Sequence, residues 1–163
     1  MNDSPTNLSG YARIRAVVWK ATAVAWAGLI FYLSTGTFGG SLSASLLNQI
    51  LRILHVSVAP ATFATLHHLF RKSAHLTEYA IFAMLMYGSR RDERPFEWRP
   101  RRALVCLAIA AGYSLTDEFH QIFVAGRGPS IVDCGIDTVG AGLGLLLFYV
   151  RGLLVGSESL KAA

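Results

Sequence analysis

The chain has 163 residues, of which 53% are hydrophobic and 15% are charged. Soluble domains usually carry about 25% charged residues, so this composition favours a membrane protein over a soluble one. The net charge of +5 does not indicate nucleic-acid binding, because the arginines flank apolar segments. The length suits one unit of a few helices. We divide the chain into a flexible tail at 1–15, a transmembrane domain at 16–151 and a second tail at 152–163.

The first predicted membrane span covers residues 16–33, which are apolar apart from Lys20 and Thr22. A bilayer is crossed by about 20 such residues. We therefore interpret this segment as a retained span and not as a cleaved signal peptide.

A short helical segment is predicted between the first two spans. Leucines and isoleucines repeat at helical spacing from Leu42 to Leu54, with polar residues between them. This pattern is typical of an amphipathic helix at the membrane interface, and it equally fits a helix that packs over the mouth of the bundle. Pro60 opens a second short helix over 61–70. Whether residues 41–70 are interfacial or re-entrant stays open.

Three further spans are expected, beginning near Ser73, at Ala103 and at Ile131. They complete an all-α, polytopic bundle of about four transmembrane helices. Eleven of the 15 basic residues fall on the side that holds both termini and the 89–102 loop. By the positive-inside rule that side is cytoplasmic, in an inner (plasma) membrane.

In this topology, polar groups on the last three spans meet in the outer half of the membrane. Ionisable groups at such depth are costly and usually mark a functional site. We predict a polar cluster formed by Lys72, His75, Glu78, Tyr79, Asp117, Glu118, His120, Gln121, Arg127, Asp133 and Asp137.

Helical spacing predicts which of these side chains point inward. Residues three or four apart share a helix face, which selects Asp117 and Gln121, followed by Glu118. Gly140 and Gly144 form a G-x-x-x-G pair that allows close helix approach, and we expect a similar role for Gly112. Arg127 lies in the turn between the last two spans, where it either joins the cluster or binds a lipid phosphate.

Several stretches together resemble the VanZ-like membrane proteins. They are the stretch from Ile30 to Ser34, the stretch from Arg71 to Tyr79, Asp117-Glu118-Phe119-His120-Gln121, the stretch from Arg127 to Asp133, and Asp137-Thr138-Val139-Gly140-Ala141, where the family more often has Asn in place of Asp137. The resemblance covers roughly residues 26–150. It implies a small multi-span inner-membrane protein, and the founding member is linked to resistance to teicoplanin-type glycopeptides.

Three functions compete at this point. The first, which we favour because no catalytic arrangement is recognisable, is a binding protein whose outward pocket takes an envelope lipid, a cell-wall precursor or a glycopeptide and so contributes to antibiotic or envelope-stress resistance. The second is a membrane enzyme acting on a lipid-linked or phosphorylated substrate, with a carboxylate or a histidine as general base. The third, a small proton-coupled carrier, is disfavoured because no inverted repeat is visible.

Neither catalysis nor cofactor binding has a recognisable motif. The sequence has no compact metal motif, no nucleophile elbow and no phosphate-binding loop. We therefore predict no metal and no cofactor, and leave enzymatic activity and oligomeric state undecided. Membrane lipids are the expected partners.

Overall fold

The computed structural model describes residues 5–35, 40–89, 98–123 and 130–161. All the regular structure in these ranges is helical, which confirms the all-α class. The five helices are α1 (Pro5–Ser34), α2 (Gly40–Ile53), α3 (Pro60–Gly88), α4 (Pro100–Gln121) and α5 (Ile131–Lys161). Helices α1 and α5 therefore extend into the segments 1–15 and 152–163, which the sequence assigned to tails.

Helix starts follow local chemistry. Pro60 and Pro100 occupy the first turns of α3 and α4, where proline's missing N–H removes no hydrogen bond. Ser130 precedes α5, and its hydroxyl accepts a hydrogen bond from the Asp133 N–H at 3.3 Å. Such a side-chain cap satisfies one of the free donors at a helix start.

Helix α3 differs from the expectation. A short helix at 61–70 followed by a span from Ser73 was predicted, but one unbroken helix runs from Pro60 to Gly88. The polar residues at 71–73 change the surface of the helix without breaking it, since no proline or glycine interrupts 61–87. Lys72 consequently lies about 18 Å along the helix from Pro60, at ~1.5 Å per residue.

Helix α3 is the centre of the bundle. It contacts all four other helices, and its interface with α5 is the most extensive. A methyl group added to Gly140 would overlap the Leu76 backbone, and one added to Gly144 would overlap the Ala80 backbone. The G-x-x-x-G pair therefore lets the two backbones meet, as predicted. The expectation for Gly112 was wrong, because it faces open space.

An apolar core fills the half of the bundle that lies farther along α5, after Gly140 and Gly144. It includes Tyr79, Phe82 and Tyr87 of α3 and Leu145 and Phe148 of α5, all at most 7% exposed. Two hydrogen bonds tie α1 to this core: Trp26 Nε1 donates to the Glu78 carbonyl at 2.9 Å, and Tyr113 Oη donates to the Ala27 carbonyl at 2.6 Å.

The outer surface of the bundle is rich in large apolar side chains. Segments Arg13–Ser34 and Ile131–Leu154 are long and apolar enough to cross a membrane, and they are the two such segments among the described residues. Helices α3 and α4 fall short because each carries ionisable residues within its length. On α4, however, Leu104, Ile109 and Phe119 are 65%, 51% and 63% exposed, as a lipid-facing helix would be. The number of four spans stays a prediction.

Candidate functional site

The predicted polar groups meet at one end of the bundle. There α1 and α4 end, α5 begins, and α3 passes through at mid-length. Because α3 starts three turns earlier than expected, the cluster lies well inside that helix and not at its first turn. Helix α2 and the first turns of α3 extend past the cluster.

Two pairs of side chains join α3 to α5. The Lys72 ammonium forms an ion pair with Asp133 Oδ1, and His75 Nδ1 lies 3.5 Å from Asp137 Oδ1. Asp137 is 0% exposed, and a carboxylate buried to that degree is stable only with partners. The second partner is Ser114 of α4, whose hydroxyl donates to Asp137 Oδ2 at 2.6 Å. Asp137 therefore connects three elements: its own helix α5, His75 of α3 and Ser114 of α4.

The end of α4 supplies the remaining polar side chains. Asp117 and Gln121 are buried, as predicted from helical spacing. The Gln121 amide donates to Asp117 Oδ2 at 3.3 Å and to the Ser34 hydroxyl at 3.4 Å. Through Ser34 the network reaches the last residue of α1.

Glu118 fixes the start of α5. Its Oε2 accepts a hydrogen bond from the Ser130 backbone N–H at 2.5 Å. A carboxylate next to a helix N-terminus is favoured by the helix dipole. This contact gives Glu118 a structural role, although it is buried beside Asp117.

Six buried polar atoms of the cluster have no hydrogen-bond partner among the described residues. Three of them lie in the two ion pairs: His75 Nδ1, Asp133 Oδ1 and Asp137 Oδ1. The other three are Asp117 Oδ1, Glu118 Oε1 and the Tyr79 hydroxyl. Atoms of this kind are available to ordered water, an ion or a ligand.

His120 and Glu78 have further surroundings. His120 is partly buried and packs its ring against Phe31, with 4.8 Å between ring centroids. Glu78 lines a neighbouring cavity. Arg127 lies outside the described residues, so its contribution stays a prediction.

That cavity opens between α1, α2 and α3 and measures about 220 Å³. One wall is apolar, with Ile30, Leu33, Leu42, Leu46 and Phe70, while the other presents Ser34, Ser43, Arg71, His75 and Glu78. His75 therefore belongs both to this headgroup-sized pocket and to the buried network. A hydrogen bond of 2.7 Å between Ser43 Oγ and His67 Nε2 holds α2 against α3.

Three polar residues of the cavity were not part of the predicted cluster. Arg71 and Ser34 appeared in stretches that resemble the family, and Ser43 is a polar position of the predicted amphipathic helix. Only the last could not have been found, because its inclusion depends on how α2 packs. Helix α2 contacts α3, while its placement at the membrane interface or over the mouth of the bundle stays open.

The cavity offers apolar side chains together with an arginine, a histidine and a carboxylate. An arginine suits a phosphate or carboxylate, and a carboxylate suits an amine or hydroxyl group. The described residues contain no group of three or more His, Cys, Asp or Glu side chains arranged to hold a metal ion.

Comparison with known proteins identifies the family. No curated protein and no solved structure gave a significant match. The VanZ/LLP1 family model matches residues 19–154, which include all five helices in part or in full and every residue of the polar cluster. The chain therefore belongs to the VanZ/LLP1 family.

Proposed function

We propose that this protein is a four-span inner-membrane protein with both termini in the cytoplasm. Two apolar segments of span length, the family membership and the exposed apolar face of α4 support this topology. Helices α3 and α4 can cross despite their charges because those side chains turn toward each other and not toward lipid. In this orientation the polar cluster and its cavity open toward the outer side of the membrane.

The cavity binds the polar end of an envelope amphiphile. The candidates are an envelope lipid, a lipid-linked cell-wall precursor or a glycopeptide antibiotic, and binding contributes to resistance or to the response to envelope stress. The observation that carries this proposal is the mixed lining of the cavity: α1 and α2 supply most of its apolar side chains, and α3 supplies its charged side chains and His75. An amphiphile matches both walls at once, with a headgroup at Arg71 and its apolar part along Leu42 and Leu46.

Binding in nanodiscs tests this proposal. Three probes are measured separately: a labelled lipid-linked cell-wall precursor, a teicoplanin-type glycopeptide and an anionic phospholipid. Ala74→Leu fills the cavity and is compared with Ala64→Leu, an exposed position of the same helix; Arg71→Gln is compared with Arg101→Gln, an exposed arginine of α4.

We expect at least one probe to bind the parent and both control variants. Ala74→Leu and Arg71→Gln should each lower its affinity by about tenfold or more, since that factor corresponds to ~1.4 kcal/mol. Equal affinity in all five proteins, or an equal loss in the controls, would contradict a ligand site in this cavity.

One observation favours an enzyme as the second candidate. Asp137 Oδ1 lies 3.5 Å from Nδ1 of His75, a residue that also lines the cavity, and Asp137 accepts a hydrogen bond from Ser114. A carboxylate that orients a histidine beside a ligand space is the arrangement of a general base. For this function Asp137→Asn should abolish turnover of a lipid-linked phosphate and change the affinity for it by no more than about twofold. The reason is that Asp137 would act in the reaction and does not line the cavity.

A further inference from the structure

A second groove lies at the opposite end of the bundle from the polar cluster. It is formed by the early part of α1, the end of α3 and the later part of α5, and it measures about 430 Å³. Its lining residues are Arg15, Trp19, Met84, Gly88, Leu147, Phe148 and Arg151.

The groove combines two cations with an apolar floor. Arg15 and Arg151 come from different helices and reach the same space. Both arginines also make interactions within the chain. The described lining of the groove therefore supplies two cationic side chains beside an apolar floor.

The apolar part of the groove depends on Gly88. A methyl group at this position would lie 2.5 Å from the Trp19 indole ring, so the absence of a side chain lets the ring lie flat against α3. Leu147 is 62% exposed at the edge of the groove. The resulting wall continues from the arginines onto the apolar outer surface of α5.

We infer that this groove binds an anionic phospholipid of the cytoplasmic leaflet, with its phosphate at Arg15 and Arg151 and one acyl chain along Trp19 and Leu147. Arginine pairs bind phosphate oxygens through charge-assisted hydrogen bonds, and basic pockets between helices on the cytoplasmic side suit such headgroups. The inference rests on the proposed membrane topology and is independent of any ligand in the outer cavity. A water-soluble phosphate fits less well, because it would leave the apolar wall uncovered.

The test uses the full chain in nanodiscs of zwitterionic lipid. These nanodiscs are titrated with a labelled, short-chain anionic phospholipid. The site variant is Arg15→Gln with Arg151→Gln. Its matched control is Arg13→Gln with Arg101→Gln, which removes the same charge from exposed positions. A third variant, Leu147→Trp, makes the groove narrower at its apolar wall and leaves both arginines unchanged.

We expect the parent and the control to bind the anionic lipid with similar affinity. The site variant should bind at least about tenfold more weakly, on the scale of one lost charge-assisted hydrogen bond, and Leu147→Trp about threefold more weakly, since it changes only apolar contact. Because Leu147 is exposed, its variant reports on the groove even if the double arginine variant does not fold.

Three results would overturn the inference. One is an equal loss in site and control variants, which means general surface charge. Another is a pair of findings: Leu147→Trp binds the lipid as tightly as the parent does, and soluble glycerol phosphate competes as strongly as the lipid itself. This pair would mean that the groove binds a headgroup and no acyl chain. The third is extraction of the chain from membranes by alkaline carbonate without detergent, which would show that it never inserts. This result also removes the proposed topology, whereas the first two leave the outer cavity untouched.

Discussion

At one end of the α3–α5 interface Lys72 and His75 face Asp133 and Asp137, whereas further along Gly140 and Gly144 bring the two backbones together. Close apolar packing stabilises helix association directly, while buried ion pairs roughly offset their own desolvation. The glycine pair therefore stabilises the α3–α5 interface, whereas stability alone does not explain the charged pairs in the same interface. Asp117 and Glu118 of α4 lie beside this charged part, and each has one buried oxygen without a hydrogen-bond partner among the described residues.

The largest effect is expected at the glycine pair. In the variant with Gly140→Ala and Gly144→Ala, both added methyl groups overlap the backbone of α3, and overpacking costs about 1–3 kcal/mol per site. We expect the free energy of unfolding in detergent to fall by about 4 kcal/mol, measured by thermal or chemical denaturation. Gly142→Ala is the control, because Gly142 has open space around its Cα; a similar loss there would contradict the packing argument.

A smaller effect is expected for Ser114→Ala. This change removes the hydroxyl that donates to the buried Asp137 carboxylate at 2.6 Å, which leaves one carboxylate oxygen without a donor. We expect a loss of about 2 kcal/mol in unfolding free energy. Thr116→Ala on the same helix is the control, since the Thr116 hydroxyl bonds only the Tyr113 carbonyl of its own helix. If both variants lose the same amount, Asp137 does not depend on Ser114.

The smallest effect is expected for Lys72→Met. Its ion pair with Asp133 is about one fifth exposed on both sides, so water screens the attraction and also solvates the remaining carboxylate. We expect a loss of about 1 kcal/mol that shrinks at high salt. Lys20→Met, at an exposed position of α1, should change stability by less than half as much. A loss that is independent of salt would show that packing of the lysine stem matters and not its charge.

Helix periodicity and topology were enough to predict that the polar groups of three helices converge. They were also enough to predict which side of α4 faces inward. Both depend on regular spacing, which a sequence displays directly. The unbroken helix α3 was missed because a run of polar residues at 71–73 was taken for a boundary, although polarity does not end a helix. The cavity was missed because it needs α2 to pack against α3, and the apolar stripe of α2 does not say whether lipid or protein covers it.

The measurement that tests the comparison most directly is the thermal stability and ligand affinity of Glu78→Gln, recorded on the same nanodisc preparation with the labelled lipid-linked cell-wall precursor. Gln keeps the shape of Glu78 and the backbone carbonyl that accepts from Trp26, and it removes a carboxylate that lines the cavity. If function maintains the polar end, Tm should stay equal or rise while affinity falls about tenfold or more. A lower Tm with unchanged affinity would contradict the account and assign the polar cluster to stability.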